Sequence, residues 1–117
     1  EEKKVWSFAR TTYAKKTEIS FIPGEAEKSI KAATKGYNDI IIEVYAEGKE
    51  ITQDNPPKIA LAVGSADIAE TYTFEAGKWE RIRIPRSEFV KYGTLTLLFV
   101  TQPGVIFRIG DVIGVKR

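Results

Sequence analysis

The chain has 117 residues, room for one domain with a single buried core and too few for two. It contains no Cys, Met or His, which excludes disulfides, thiolate and imidazole metal sites, and Ser-His-Asp or Cys-His catalysis. A net charge of +2, from 18 basic and 16 acidic residues, is too mild for a nucleic-acid partner, which draws a concentrated basic stripe with interleaved aromatics.

Hydrophobic residues make up 43% and charged residues 29%, the balance of an ordinary globular domain. No apolar run approaches the ~18–20 residues of a membrane span, and none near the start resembles a signal peptide, so no membrane partner is expected. The first residues are Glu1-Glu2 rather than Met. The expectation is a mature protein or a module cut from a longer secreted one, extracellular and monomeric, with its targeting information elsewhere.

In chain order, short alternating or β-branched runs predict strands. They are "KKVWSFA" (3–9), "TEISFI" (17–22), "KSIKAA" (28–33), "DIIIEVYA" (39–46), "KIALAVG" (58–64), "TYTFE" (71–75), "WERIRI" (79–84) and "TLTLLFV" (94–100). The run "VIFRIGDVIGV" (105–115) reads as two strands, or as one with a bulge at Gly110. Turn chemistry separates them: "FIPGE", "TKGYND", "QDNPPK", "EAGK", "KYG" and "TQPG". The single helix-like piece is "RSEFVKYG", capped by Ser87 and ended by Gly93. The polar insertion "EGKEITQDNPPK" (47–58) is either functional or a connection between two sheets. About nine or ten strands with regular turns imply an all-β fold, a sandwich or barrel.

Alternation divides each strand into faces. Ile82 and Ile84 point to the core, leaving Trp79, Arg81 and Arg83 outside. Ile40, Ile42 and Val44 point inward, with Asp39, Ile41, Glu43 and Tyr45 outward. Ile59, Leu61 and Val63 are inward beside outward Lys58, Ala60 and Ala62. Leu95, Leu97 and Phe99 are inward beside Thr94 and Thr96, and Val105, Phe107 and Ile109 are inward beside Ile106 and Arg108. If these strands share one sheet, its outer face is a shallow trough of small residues carrying Arg81, Arg83, Arg108 and Lys58. Arginine forks match carboxylates bidentately. Such a face suits an acidic glycan such as a polyuronate, with Tyr45 as a stacking edge. A solvated face whose arginines are neutralised by Asp39 and Glu43 accounts for the same residues.

From Tyr37 onward the chain resembles the β-jelly-roll carbohydrate-binding modules of the galactose-binding-like superfamily. The resemblance rests on a G-x-W-x-x-φ-x-φ-P strand (Trp79, Ile82, Ile84, Pro85) with a following Phe89, and on a closing strand with Phe107, Ile109, Asp111, Val112 and Ile113. It implies a jelly-roll sandwich of two antiparallel sheets spanning 1–117. It implies a non-catalytic module that binds a plant cell-wall polysaccharide and tethers an appended catalytic domain of a longer chain. An acidic polymer such as pectin fits the basic face. A neutral glycan held by loop tyrosines Tyr13, Tyr37 and Tyr72 is the alternative, as is a structural or adhesion module. Trp79 matches a position that is structural in such modules, packing under the sheet edge, and Trp6 beside Phe8 belongs to the core.

No cofactor is required. The resemblance allows a structural calcium at Asp111 with Glu18 as partner, although calcium needs six to eight oxygens and a surface Asp after Gly110 fits equally well. Among the carboxylates Glu43, Asp39, Glu80 and Asp67, no pair stands apart as glycoside hydrolysis requires, so no enzyme activity is expected.

Overall fold

A computed structural model of the chain describes residues 1–14, 18–20, 24–48, 51–63, 67–90, 95–100 and 105–117. The strands are β1 (Glu2–Ala14), β2 (Glu18–Ser20), β3 (Asp39–Glu47), β4 (Lys58–Val63), β5 (Asp67–Thr73), β6 (Glu80–Pro85), β7 (Leu95–Val100) and β8 (Ile106–Val115). Two helices accompany them, α1 (Gly24–Ala33) and α2 (Arg86–Val90). The strands form two antiparallel four-stranded sheets, ordered β1-β8-β3-β6 and β2-β7-β4-β5. The fold is therefore mostly β, as expected, with eight strands among the described residues instead of nine or ten. The 47–58 segment carries the chain from β3 in the first sheet to β4 in the second.

One predicted strand differs from the expectation. Residues 28–33 are helical, not extended. The window "KSIKAA" hides its context: the preceding "GEAE" supplies good helix formers, and Ala26, Ile30 and Ala33 recur at helical spacing. Ile30 is fully buried while Lys28 is exposed. Of the two forms expected for 105–115, the structure has the second, one strand, 106–115, with a bulge at Gly110. Opposite Glu43 its register slips, so that Gly110 and Asp111 together face one residue of β3. In α2, Ser87 lies inside the first turn instead of capping it.

The core follows the period-two pattern. Ile40, Ile42, Val44, Ile84, Val105, Phe107 and Ile109 are all fully buried, and Ile82 nearly so. Ile59 of β4 joins the same cluster, so both sheets contribute to one core. Trp6 and Phe8 pack against it, edge to face, with ring centroids 6.4 Å apart. The side chains of Leu61, Val63, Leu95, Leu97, Phe99, Ala60, Ala62, Thr94 and Thr96 lie outside the described residues.

On β3 the outward assignment is corrected at two positions: Asp39 is 2% and Ile41 5% exposed. Ile41 sits on the outer face directly between Arg83 of β6 and Ile113 of β8. Arginine stems lying over such a residue cover it while their charged ends stay wet.

Helix α1 is closed by its sequel. The Thr34 hydroxyl donates to Ile30 O (2.7 Å) and accepts from Arg86 Nε (3.0 Å), and Arg86 Nη2 donates to Lys31 O (2.8 Å). Ile30 O also accepts from Thr34 N (3.1 Å), and Arg86 gives Lys31 O, a carbonyl of the last turn, its partner. Gly36, at φ +86°, then turns the chain toward β3. Tyr37 lays its ring on Gly114 of β8: a Cβ there would stand 2.8 Å from Tyr37 Cδ2 and 3.2 Å from Thr34 Cγ2. The two ends of the chain pair beside each other, with Lys116 N donating to Glu1 O (2.9 Å) and the Glu1 ammonium donating to Lys116 O (3.0 Å). Gly114→Ala forces Tyr37 and Thr34 apart and is expected to lower stability by about 1–3 kcal/mol, measured by urea denaturation. A loss below 0.5 kcal/mol would show that the ring moves freely.

Candidate functional site

The outer face of the β1-β8-β3-β6 sheet gathers most of the residues singled out from sequence. Alternation along β6 leaves Arg81 and Arg83 exposed while Ile82 and Ile84 fill the core. Across the register, Arg81 lies opposite Glu43 and Arg83 opposite Ile41. On the other side of β3, Arg108 of β8 lies opposite Tyr45. Lys58 does not join them. It belongs to β4 in the other sheet, so the four-cation platform expected on one face reduces to three arginines. Sheet membership depends on long-range pairing, which alternation within a strand does not encode.

Two of those arginines are already engaged. Asp39 is buried between Arg83, whose Nε donates to Oδ2 at 2.7 Å and whose Nη2 lies 2.6 Å from it, and Arg117, whose Nη2 lies 3.1 Å from the same oxygen. Burial pushes the Asp39 pKa up, but the hydrogen bonds and charges of Arg83 and Arg117 outweigh it and hold the carboxyl below its ordinary value. Arg81 Nη2 meets Glu2 Oε1 at 2.6 Å. That hydrogen bond lowers the Glu2 pKa, with smaller help from nearby positive charges. The solvated-face reading foresaw neutralisation by Asp39 and Glu43. Asp39 fulfils it, whereas Glu43 turns to β8 and accepts from Asp111 N at 3.0 Å.

At the other end of the face an aromatic patch forms. Tyr45 and Trp79 are half-buried neighbours, with ring centroids 5.7 Å apart and planes tilted by 38°. The Arg108 guanidinium carbon stands 5.6 Å from the Tyr45 ring centre, within cation–π range. The Tyr45 hydroxyl donates to Glu47 Oε2 at 2.8 Å, and this bond chiefly raises its pKa. Trp79, just before β6, reaches across β3 to β8, where a Cβ on Gly110 would stand 3.2 Å from Trp79 Cζ3 and 2.9 Å from Glu43 Oε1. The bulge glycine thus makes room for the indole. Trp79 lies on the outer face with Tyr45, where the alternation sets it, and not under the sheet edge as the family resemblance implies. Two signals were present, namely the alternation that groups Trp79 with Arg81 and a strand-interior glycine marking a close approach.

The remaining candidates lie elsewhere. Asp111 is half-buried on β8, the Glu18 side chain lies outside the described residues, and among the described residues no three acidic side chains converge on a metal position. Tyr37 and Tyr72 are half-buried, the first against Gly114 and the second against the core, and the Tyr13 side chain lies outside the described residues. The 51–57 loop walls a cleft of about 580 Å³ with Ile51, Gln53, Pro56, Phe74, Glu75 and Glu80. Glu75 and Glu80 share the Lys78 ammonium at 2.7 and 3.2 Å.

Because Asp39 is depressed in the native state, its contribution to stability is full above its unfolded pKa near 3.8 and is lost as pH falls through the lower native value. Asp39→Asn is expected to cost about 1–3 kcal/mol at pH 7. The gap from the unaltered protein should close toward pH 2 in thermal melts. A gap independent of pH would mean that the side chain acts through packing alone.

No family model matches the chain, and neither a curated protein nor a solved structure is similar to it.

Proposed function

We propose that the chain is a jelly-roll sandwich that serves as a non-catalytic carbohydrate-binding module. Its ligand is a plant cell-wall polysaccharide, foremost an acidic one such as pectin. The jelly-roll reading is supported by the pairing of β1 with β8, β2 with β7, β3 with β6 and β4 with β5. Such nesting arises when one long hairpin rolls over on itself.

One observation carries the binding role: Tyr45 and Trp79 stand side by side on the outer face with the exposed Arg108 over Tyr45. Aromatic faces take the apolar C–H face of a sugar ring, and a guanidinium takes a uronate carboxylate by charge-assisted hydrogen bonds. Arg81 extends the contact along the sheet. Arg83 supports the face through Asp39. The module belongs to a secreted, longer protein and holds its catalytic partner at the substrate by raising the effective concentration there. A structural or adhesion module is the second reading, and the pairing of Arg81 and Arg83 with carboxylates favours it.

Affinity electrophoresis against polygalacturonate, xylan, mannan, xyloglucan and β-glucan, at low and high salt, separates these readings. The expected result is retardation by polygalacturonate that fades with salt. Arg108→Ala and Trp79→Ala should each weaken it about tenfold. Salt-insensitive retardation by a neutral polymer would replace the acidic ligand with a neutral one stacked on the aromatic pair. No retardation by any polymer would favour the structural module.

A further inference from the structure

We propose that Glu2 is an internal competitor for the ligand, a carboxylate strap that lies across the binding face and holds Arg81 until a ligand carboxylate replaces it. This inference rests on the sheet-face reading of the function above.

Glu2 opens β1 and Arg81 lies in β6, and these are the two edge strands of the sheet. Three strand spacings across and, through the register Glu2–Val115–Asp39–Pro85, four residues along separate them, about 19 Å on a flat sheet, a span that the sheet's twist shortens. Their side chains nonetheless meet at 2.6 Å, so the pair spans the outer face above β8 and β3. A polymer lying on that face encounters this contact.

Exposure distinguishes the two arginines. Asp39, the partner of Arg83, is 3% exposed at its side chain, and removing Arg83 from it would strand a buried charge. Glu2 and Arg81 are 50% and 47% exposed, and a pair so open to water is readily exchanged. The backbone at the first residue is anchored by the Glu1–Lys116 pairing, so the Glu2 side chain can swing away without fraying the strand. Arg83 is therefore structural, and Arg81 is the arginine that a ligand can recruit.

Recruitment also sets the ligand's size. Arg81 and Arg108 flank β3, opposite Glu43 and Tyr45 respectively. Two strand spacings across and two residues along put their Cα atoms about 12 Å apart. One uronic acid cannot engage both, so the site selects an oligomer carrying carboxylates on successive or alternate sugars.

The experiment measures binding of polygalacturonate and of monomeric galacturonic acid by the whole chain, by Glu2→Gln, by Arg81→Ala and by the double variant, at low salt. Glu2→Gln should bind the polymer about 3–5-fold more tightly, because Arg81 is released from its internal partner. Arg81→Ala should bind several-fold more weakly, and the double variant should match Arg81→Ala, since Glu2 has nothing to compete for once Arg81 is gone. The monomer should bind none of them measurably. Binding by the unaltered chain with no gain in Glu2→Gln, or the same gain without Arg81, would overturn the strap while leaving the sheet-face reading intact. Absence of polymer binding by both the unaltered chain and Glu2→Gln would overturn that reading, and the strap with it.

Discussion

The buried carboxylate of Asp39 organises one end of the molecule. A charge removed from water is tolerated only when opposite charges and hydrogen bonds replace its hydration. Arg83 and Arg117 supply both, and in doing so they fasten β3 to β6 and to the segment that follows β8. Beside this cluster Ile41, register partner of Arg83, is buried although the alternation assigns it to solvent. The first four residues of β3 are consequently buried on both faces, a pattern otherwise found in the interior of parallel sheets.

The outer face divides accordingly. Around Asp39 it is closed by ion pairing and is part of the scaffold. Around Tyr45 and Trp79 it is aromatic and half open, and Arg108 faces solvent there. The division depends on two glycines as much as on the charged groups. Gly114 admits the Tyr37 ring on the inner side of the sheet, while Gly110 admits the Trp79 ring on the outer side. The same strand thus makes one close approach to each face, four residues apart.

How much of this was legible in the sequence depends on the range of the interaction concerned. The inward sets on β3, β6 and β8 followed from a period of two, because burial on one face is a local constraint. Arg81 and Arg83 were assigned to the outer face on the same grounds. The sheet to which Lys58 belongs is not legible in its own strand, because strand order is decided by partners far away in the chain. Helix α1 is not legible in "KSIKAA" alone, because helix-forming residues that decide it precede that stretch. The Arg81 pairing with Glu2, rather than with Glu43 directly opposite, was beyond any strand-by-strand reading, since it joins two edges of a sheet through side-chain reach alone. Alternation sets Trp79 on the outer face, but its seat on Gly110 joins two strands that no single-strand pattern connects.

The pairing of Glu1 with Lys116 has a mechanical consequence. Both ends of the chain leave the fold side by side, at the open end of an antiparallel ladder between β1 and β8. Tension applied through the two termini loads that ladder like a zipper, one pair of hydrogen bonds after another, instead of shearing all of them together. β1 would peel first, carrying Glu2 away from Arg81 while β3, β6 and β8 remain joined. Pulling on the ends and clearing Glu2 from the outer face are therefore the same movement.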